Sequence, residues 1–268
     1  MMFRDSGKPS ATIIMEIPGE SSAIRATDVA GWNRGRARDE TATARTISLE
    51  VQDWPGHVAG QHVDVRLTAA DGYSAVRSCP VASAPNSERR VEIMVERLPD
   101  GEVSPYLTQQ VAVGGRLELR GPLGGWFVWR PEQVEPIQLV AVGSGIVPLM
   151  AMICSRRSTD VAASFRLVYS VREPGAVYYR DELDTPPGED SVLRVTYAYT
   201  RAAPKGWPGR PGGVDAALIA SSTWPSKLGP TCYVCGPTSF VESAAGLAAG
   251  NSPERIRTER FGATGERQ

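Results

Sequence analysis

The residues with the clearest chemical capacity form a glycine-containing turn between an apolar run and a helix-like segment. The turn is Gly143-Ser144-Gly145, within "AVGSGIVPLMAMI". Glycines at such a turn let the backbone approach a pyrophosphate, and the free N–H groups of a helix start attract its negative charge. Pro148 stands where a third glycine is usual and suits a first helical turn, so the pattern is G-x-G-x-x-P rather than the plain dinucleotide fingerprint. The turn predicts a phosphate-binding loop; the alternative is an ordinary glycine after a buried strand.

A second turn, "DGEVSPYL" at residues 100–107, also predicts a glycine turn that leads into a helix. Ser104 and Pro105 are expected as the N-cap and first residue of a short helix. Such a helix start can also bind a phosphate. The alternative is a helix start with no ligand.

The cysteines argue against a redox or zinc pair. Cys232 and Cys235 are three residues apart in an apolar run, and on a strand such residues point to opposite faces. Cys235 is followed by Gly236-Pro237, at the strand end where open parallel sheets bind ligands. The alternative for Cys235 is a small buried apolar residue. Four cysteines in all fit a reducing compartment better than a disulfide framework.

Hydrolytic and metal-dependent chemistry find no support in the sequence. His57 and His62 are the two histidines of the chain, and no G-x-S-x-G or H-E-x-x-H motif occurs. No metal site is predicted. Hydride transfer through a flavin asks the protein for positioning and electrostatics rather than for a general base, so it is compatible with few histidines.

Composition indicates a globular protein of two domains. The 268 residues are 41% hydrophobic and 22% charged. Lysine plus arginine number 29 against 30 acids, which disfavours nucleic acid and anionic membranes as partners. The early apolar run "ATIIM" is followed by Glu16 and Pro18 and is too short for a membrane span or a signal sequence. We expect a soluble cytoplasmic protein.

The elements that must position these residues change character midway along the chain. Between residues 41 and 128, short alternating strands separated by Gly, Pro and Asp turns predict a small antiparallel barrel or sandwich. The continuous apolar run at 137–142 instead predicts a parallel strand buried on both faces. Four further strand-like runs alternate with helix-like segments, which predicts a doubly wound sheet. The strand-like runs are 164–170, 192–200, 231–236 and 255–261, and the helix-like segments are 146–157, 213–221 and 238–249.

The predicted domain organisation follows from this change. Residues 1–30 show no period and are expected to be a loose arm. Residues 31–130 form the barrel domain and residues 131–268 the α/β domain, with the proline-containing segment 129–136 as the linker.

Seven segments, in this order and spacing, resemble the ferredoxin–NADP reductase superfamily. They are "RSCPVAS", "DGEVSPYL", "GPLGGWF", "VGSGIVPLM", "VYSVREPGAVYYRDEL", "VCGPTSFVE" and "ERFG", and the resemblance covers about residues 32–265. It implies an FAD-binding antiparallel Greek-key barrel, an NAD(P)-binding doubly wound parallel sheet, and the isoalloxazine ring at their junction. The C-x-x-x-x-C-x-x-C run of a plant-type iron–sulfur cluster is absent from the sequence.

The resemblance also implies roles for individual residues on the flavin side. Arg77 matches the arginine of an R-x-Y-S motif that binds the flavin phosphates, a task suited to a planar guanidinium. The implied FAD-binding residues are Arg77, Ser78, Cys79, Pro80, Gly101, Val103 and Ser104.

On the nicotinamide side, the resemblance implies that Thr200 and Arg201 bind a 2′-phosphate with help from Arg172. This favours NADPH over NADH, although NADH stays possible. The other implied cofactor-binding residues are Gly143, Ser144, Gly145, Pro148, Gly236 and Pro237. The implied catalytic residues are Cys235, beside the nicotinamide ring, with Glu259 and Phe261, in the end segment that closes over the flavin.

Two departures separate the chain from the family pattern. Cys79 and Pro80 replace the tyrosine and serine that pack on the flavin ring, and a thiol cannot stack as a phenol does. This change would weaken FAD binding, alter its potential or open the pocket to another ligand. In addition, "GWNRGRARDET" shows no alternating strand before Asp39, so the barrel is expected to begin differently.

The resulting hypothesis is an NAD(P)H-dependent FAD oxidoreductase that passes electrons to an external redox protein, such as a ferredoxin, a haem enzyme or a molybdenum enzyme. One alternative is a reductase of free flavins or quinones. Another is a non-redox, ligand-binding descendant of the fold, which Cys79 and Pro80 favour. The sequence specifies neither the acceptor nor the oligomeric state.

Overall fold

The structure is a computed structural model that describes residues 27–28, 37–69, 71–86, 89–111, 116–159, 161–184, 192–247 and 252–261. Most of the predicted N-terminal arm therefore lies outside the described residues. The chain divides into two compact units. The first is formed by residues 1–57, 61–82 and 86–123, and the second by residues 58–60, 83–85 and 124–268.

The first unit consists of antiparallel strands in two sheets. One sheet has the order β1-β7-β4-β5 and the other the order β2-β3-β6, and an isolated bridge between Val81 and Ile93 connects them. Because β7 pairs with β1 and β4 rather than with β6, the neighbours are non-sequential, as in a Greek key. The strands are β1 (Thr27–Asp28), β2 (Ala37–Thr41), β3 (Ala44–Glu50), β4 (His62–Thr68), β5 (Ser74–Pro80), β6 (Arg90–Glu96) and β7 (Arg116–Leu123).

Alternating apolar residues of these strands build the core of the first unit. Ile47 and Leu49 of β3 and Val63 and Val65 of β4 are almost fully buried, as the period of two requires. The short helix α1 (Val103–Gln109) adds Val103 and Leu107 to the same cluster.

The start of the barrel differs from the sequence expectation. Strand β2 begins at Ala37, ahead of Asp39, and pairs with β3 along the edge of its sheet. Its charged side chains explain both the weak sequence signal and the pairing: Asp39 forms an ion pair with Arg45 at 2.8 Å, and Glu40 accepts a hydrogen bond from Thr46 at 2.7 Å. Charged side chains are typical of exposed sheet edges.

The second unit contains five parallel strands in the order β10-β9-β8-β11-β12. The strands are β8 (Ile137–Val142), β9 (Phe165–Val171), β10 (Leu193–Tyr199), β11 (Thr231–Pro237) and β12 (Ile256–Phe261), and the helices are α2 (Ile146–Arg157), α3 (Arg180–Leu183), α4 (Ala216–Ser222) and α5 (Thr238–Leu247). The strand order reverses between β8 and β11. The carboxyl ends of these two strands therefore form the topological switch point at which such sheets bind ligands.

Helix boundaries follow local capping. Helix α4 begins at Ala216, later than predicted, because the Asp215 carboxylate accepts a hydrogen bond from Leu218 N at 2.8 Å and so caps the first turn. Among the residues that the structure describes, no helix combines the length and the apolar character needed to cross a lipid bilayer.

The predicted linker is firmly held within the second unit. Trp129 is fully buried, and its ring packs edge-on against Phe165 with 5.4 Å between centroids. Directly before this segment, the Tyr233 hydroxyl and the Arg257 guanidinium both donate to the Val128 carbonyl, at 2.8 and 2.6 Å. An apparently irregular segment is therefore ordered by long-range contacts.

Candidate active site

The glycine turn lies at the switch point of the parallel sheet. After β8, residues Gly143–Gly145 form one 3₁₀ turn that leads directly into α2. Gly143 has φ +52°, a left-handed conformation that favours glycine, and a Cβ there would meet no atom within 4 Å. The start of α2 has no side-chain cap, and Pro148 lies in its first turn, where no N–H is required. The turn thus presents open backbone to an anion.

The predicted motif Cys235-Gly236-Pro237 packs directly against this turn. A Cβ on Gly145 would lie 2.3 Å from the Cys235 carbonyl oxygen, so only glycine permits the observed approach. Gly236 is also buried, and a Cβ there would lie 2.9 Å from Cδ1 of Phe240. The absence of a side chain at Gly145 lets the turn after β8 contact the end of β11, and the absence of one at Gly236 lets β11 pack against Phe240 of α5.

A buried tyrosine holds the turn at Gly143–Gly145 in place by a hydrogen bond. The hydroxyl of Tyr169, on β9, donates to the Gly143 carbonyl at 3.2 Å and accepts from Tyr178 N at 3.4 Å. Burial raises the pKa of Tyr169 well above its usual value, so the phenol stays neutral and able to donate. Tyr169 was not predicted from the sequence, because one tyrosine in an apolar strand forms no motif.

The predicted catalytic residues occupy adjacent strands. Cys235 of β11 is in register with Glu259 of β12, and Pro237 is in register with Phe261. Burial raises the pKa of Cys235, helped by the negative charge of Glu259, so its thiol is protonated at neutral pH. Burial also raises the pKa of Glu259 to about 7, so this carboxyl exchanges a proton near neutrality. Phe261, at the end of β12, is 37% exposed.

The predicted 2′-phosphate residues meet at the ends of β9 and β10. The backbone N–H groups of Arg201 and Ala202 both donate to the Arg172 carbonyl, at 2.9 and 3.1 Å. The side chains of Thr200, Arg201 and Arg172 are exposed. The structure thus brings two arginines to one edge of the sheet. Within the described part of the chain, neither guanidinium has a hydrogen-bonding or ion-pair partner.

In the first unit, Arg77 is exposed on β5, as are Ser78 and, in part, Pro80. Among the described residues, the hydrogen-bond acceptor of Arg77 is the Val76 carbonyl, at 2.7 Å from Nη1. No carboxylate pairs with Arg77 in the described ranges. Most of its planar fork is therefore available to an anion.

Cys79, in contrast, belongs to the barrel core. It lies opposite Val63 on the neighbouring strand and is 6% exposed. Burial raises the pKa of its thiol to about 12, so it is a neutral packing group. Its implied place among the FAD-binding residues stays a prediction.

The predicted N-cap at Ser104 is wrong. Helix α1 begins at Val103 with Glu102 as its N-cap, and the Ser104 hydroxyl instead accepts a hydrogen bond from Leu98 N at 3.0 Å. Ser104 therefore closes the turn that precedes the helix. Pro105 still fits the first helical turn, because the N–H groups there have no intrahelical partner. Gly101 packs on this serine, since a Cβ there would lie 2.8 Å from Ser104 Oγ.

Fold and site together define a protein with one flavin-type barrel and one dinucleotide-binding sheet, and comparison with known families agrees. The family described as the oxidoreductase FAD-binding domain matches residues 42–128. The family described as the oxidoreductase NAD-binding domain matches residues 139–246.

One curated relative identifies the superfamily to which the chain belongs. Ferredoxin–NADP reductase B of Sorangium cellulosum is 30% identical over 229 residues, which are 81% of this chain and 91% of that protein. The chain belongs to the ferredoxin–NADP reductase superfamily, and FAD and NAD(P)H are the cofactors of its two domains. The predicted fold class is thereby confirmed.

Two further comparisons give context. The glycine betaine monooxygenase reductase subunit of Chromohalobacter salexigens is 28% identical over 209 residues, 76% of this chain. The chain spans little more than half, 56%, of that relative's length. The FAD/NAD-binding domain of nitric oxide dioxygenase from Vibrio cholerae has the same fold, with a TM-score of 0.76, 22% identity, and coverage of 90% of this chain and 99% of that one.

The residues present fit both cofactors. For NAD(P)H, the observation is the open backbone at Gly143 and the uncapped start of α2. For FAD, it is the exposed guanidinium of Arg77, with no carboxylate partner among the described residues. Both are sites that suit phosphate groups.

Proposed function

We propose that the chain is an NADPH-dependent FAD reductase that passes electrons to an external redox protein. The observation that carries the proposal is the contact between the turn at Gly143–Gly145 and the Cys235 carbonyl at the switch point of the sheet. This contact supports the proposal because it brings the turn that we propose as the pyrophosphate-binding loop directly beside the segment expected at the nicotinamide ring.

Bound FAD would supply the redox chemistry, since it accepts a hydride from NAD(P)H and gives up electrons singly. The chain's own residues bind and orient the reactants. Arg77 would hold the flavin phosphates, and the backbone at Gly143 with the start of α2 would hold the nicotinamide pyrophosphate. The neutral Cys235 thiol would give the nicotinamide an uncharged neighbour, and the Glu259 carboxyl would hold or release a proton near pH 7.

The choice of NADPH rests on the arginines at the ends of β9 and β10. Replacing Arg201 by alanine should raise the KM for NADPH about tenfold or more and leave the KM for NADH nearly unchanged, because a charge-assisted hydrogen bond contributes about 1.5–3 kcal/mol. Steady-state kinetics with both cofactors would measure this. Arg194→Ala, at an exposed position near the other end of β10, is the matched control and should change neither constant. Equal effects of Arg201→Ala on both cofactors would remove the 2′-phosphate assignment.

The class of acceptor separates this proposal from a reductase of free flavins or quinones. The name of the Chromohalobacter relative, a monooxygenase reductase subunit, supports a protein acceptor. Electron delivery from NADPH should be compared for a [2Fe–2S] ferredoxin, a b-type cytochrome, free FMN and a soluble quinone. We expect at least one protein acceptor to be reduced faster than the small molecules. Negligible rates to both proteins, with fast reduction of FMN or quinone, would favour the alternative.

A further inference from the structure

An exposed tyrosine in the first unit is held in place at both its backbone and its tip. Tyr73 lies just before β5 and is 49% exposed. Its N–H donates to the Asp71 carboxylate at 3.0 Å, and its carbonyl accepts from Ala69 N at 2.8 Å. Its hydroxyl donates to Oε2 of Glu102 at 2.8 Å. The ring is therefore oriented although much of its surface faces solvent.

Such an arrangement suits a planar ligand. An exposed aromatic ring alone is common on protein surfaces and indicates nothing. A ring whose position is already fixed loses little conformational entropy when another ring stacks on it, and this is what makes a binding platform effective. The contact with Glu102 joins residues 29 positions apart and so fixes the ring relative to the segment that contains Gly101 and Val103.

Two charged groups lie beside the Tyr73 ring and also suit a ligand. Arg77 is close enough for its positive charge to act on the Tyr73 phenol, whose pKa is raised mainly by the hydrogen bond to Glu102. Glu102 uses Oε2 for Tyr73, and within the described ranges Oε1 has no hydrogen-bond donor. One surface of the first unit thus combines an anion-binding guanidinium, an oriented aromatic ring and a free carboxylate oxygen.

We propose that Tyr73 and Glu102 bind the AMP half of FAD, with Tyr73 stacking on the adenine and Glu102 accepting hydrogen bonds from the ribose hydroxyls. This inference rests on the proposed flavin-phosphate role of Arg77. It adds two residues to which the sequence motifs gave no role, Glu102 within "DGEVSPYL" and Tyr73 outside all seven motifs. It assigns them the selection of FAD over FMN, which lacks the AMP half.

The test is a comparison of the dissociation constants of FAD and FMN for the flavin-free full chain, measured by flavin fluorescence. Tyr73→Ala should weaken FAD binding about tenfold, which corresponds to about 1.4 kcal/mol, and leave FMN binding within about twofold of the wild type, because only FAD has a base to stack on the ring. Tyr73→Phe keeps the ring but loses its anchor, so its effect on FAD should be smaller and again absent for FMN. Val76→Ala, at an exposed position on β5, is the control and should change neither constant.

The outcomes are distinguishable. A weaker binding of FAD alone supports the proposal, as does a higher dissociation constant of ADP for Tyr73→Ala than for the wild type. Equal weakening of both flavins, or unchanged FAD affinity in Tyr73→Ala, would overturn it while leaving the proposed function intact. If Tyr73→Ala does not fold, Tyr73→Phe decides by the same comparison. A wild-type chain that binds neither flavin would overturn both this proposal and the proposed function.

Discussion

At the scale of single residues, the environment of Glu259 raises the pKa of its carboxyl into the neutral range. Burial raises its pKa from 4.5 to about 7, and its register partner on β11 is the buried Cys235. A carboxyl with this pKa is protonated in part at neutral pH, so it differs chemically from an ordinary surface glutamate. Residues with such shifts are concentrated at functional sites.

The raised pKa has a consequence for stability. Between about pH 4.5 and pH 7 the folded chain holds a proton on Glu259 that the unfolded chain has released, so the contribution of this group to stability falls as pH rises. We expect the unfolding free energy of the wild type to drop by about 2 kcal/mol more over this range than that of Glu259→Gln, which cannot ionise.

Denaturant unfolding at a series of pH values would measure this difference. Glu242→Gln, an exposed change on α5, is the control and should keep the wild-type pH dependence. The same pH dependence in Glu259→Gln as in the wild type would show that the folded-state pKa of Glu259 is ordinary.

Sequence reasoning selected residues that belong to continuous motifs and gave no role to those defined by distant contacts. Gly143 and Cys235 were predicted as site residues because strand, turn and glycine pattern are local. Tyr73 and Glu102 were not predicted, because their hydrogen bond joins two loops that only the folded sheet brings together. Ser104 was misplaced as an N-cap, since the sequence does not show that its hydroxyl closes the preceding turn.

At the scale of elements, the packing of α2 against the end of β11 depends on one glycine. Gly145→Ala would place a Cβ 2.3 Å from a backbone oxygen, which cannot move as a side chain can. We expect a loss of about 1–3 kcal/mol of unfolding free energy, as for other overpacked sites, together with a raised KM for NADPH. Thermal or denaturant unfolding and steady-state kinetics would measure both.

A second glycine of the same unit gives the control. Gly175 has an ordinary backbone conformation, and a Cβ there would meet no atom within 4 Å. Gly175→Ala should therefore change stability by less than about 0.5 kcal/mol. If Gly145→Ala were as stable and as active as Gly175→Ala, the close approach of Gly145 to β11 would not be required for stability or activity.

The elements themselves were largely predictable. The apolar run at 137–142 coincides with β8, and the predicted helix at 146–157 coincides with α2, because continuous burial and the glycine turn leave little choice. Strand β2 gave no apolar alternation, since it is a charged edge strand. The order of the parallel strands, which creates the switch point, is a tertiary property that local patterns do not contain.

At the scale of the whole molecule, the chain contains an FAD-binding domain followed by an NAD-binding domain. The FAD-binding family spans residues 42–128 and the NAD-binding family spans residues 139–246. The sequence predicted this pairing from the order of seven motifs, which is more specific than any one of them. The domain boundaries at residues 30 and 130 stay predictions.

The measurement that tests the account most directly is anaerobic addition of NADPH to the purified, FAD-supplemented chain, followed by its visible absorbance. The proposed function predicts a yellow protein whose colour is lost as NADPH is added and returns when an acceptor protein is supplied. A chain that is colourless after incubation with FAD and removal of the unbound flavin, or a bound flavin whose colour neither NADPH nor NADH removes, would contradict it.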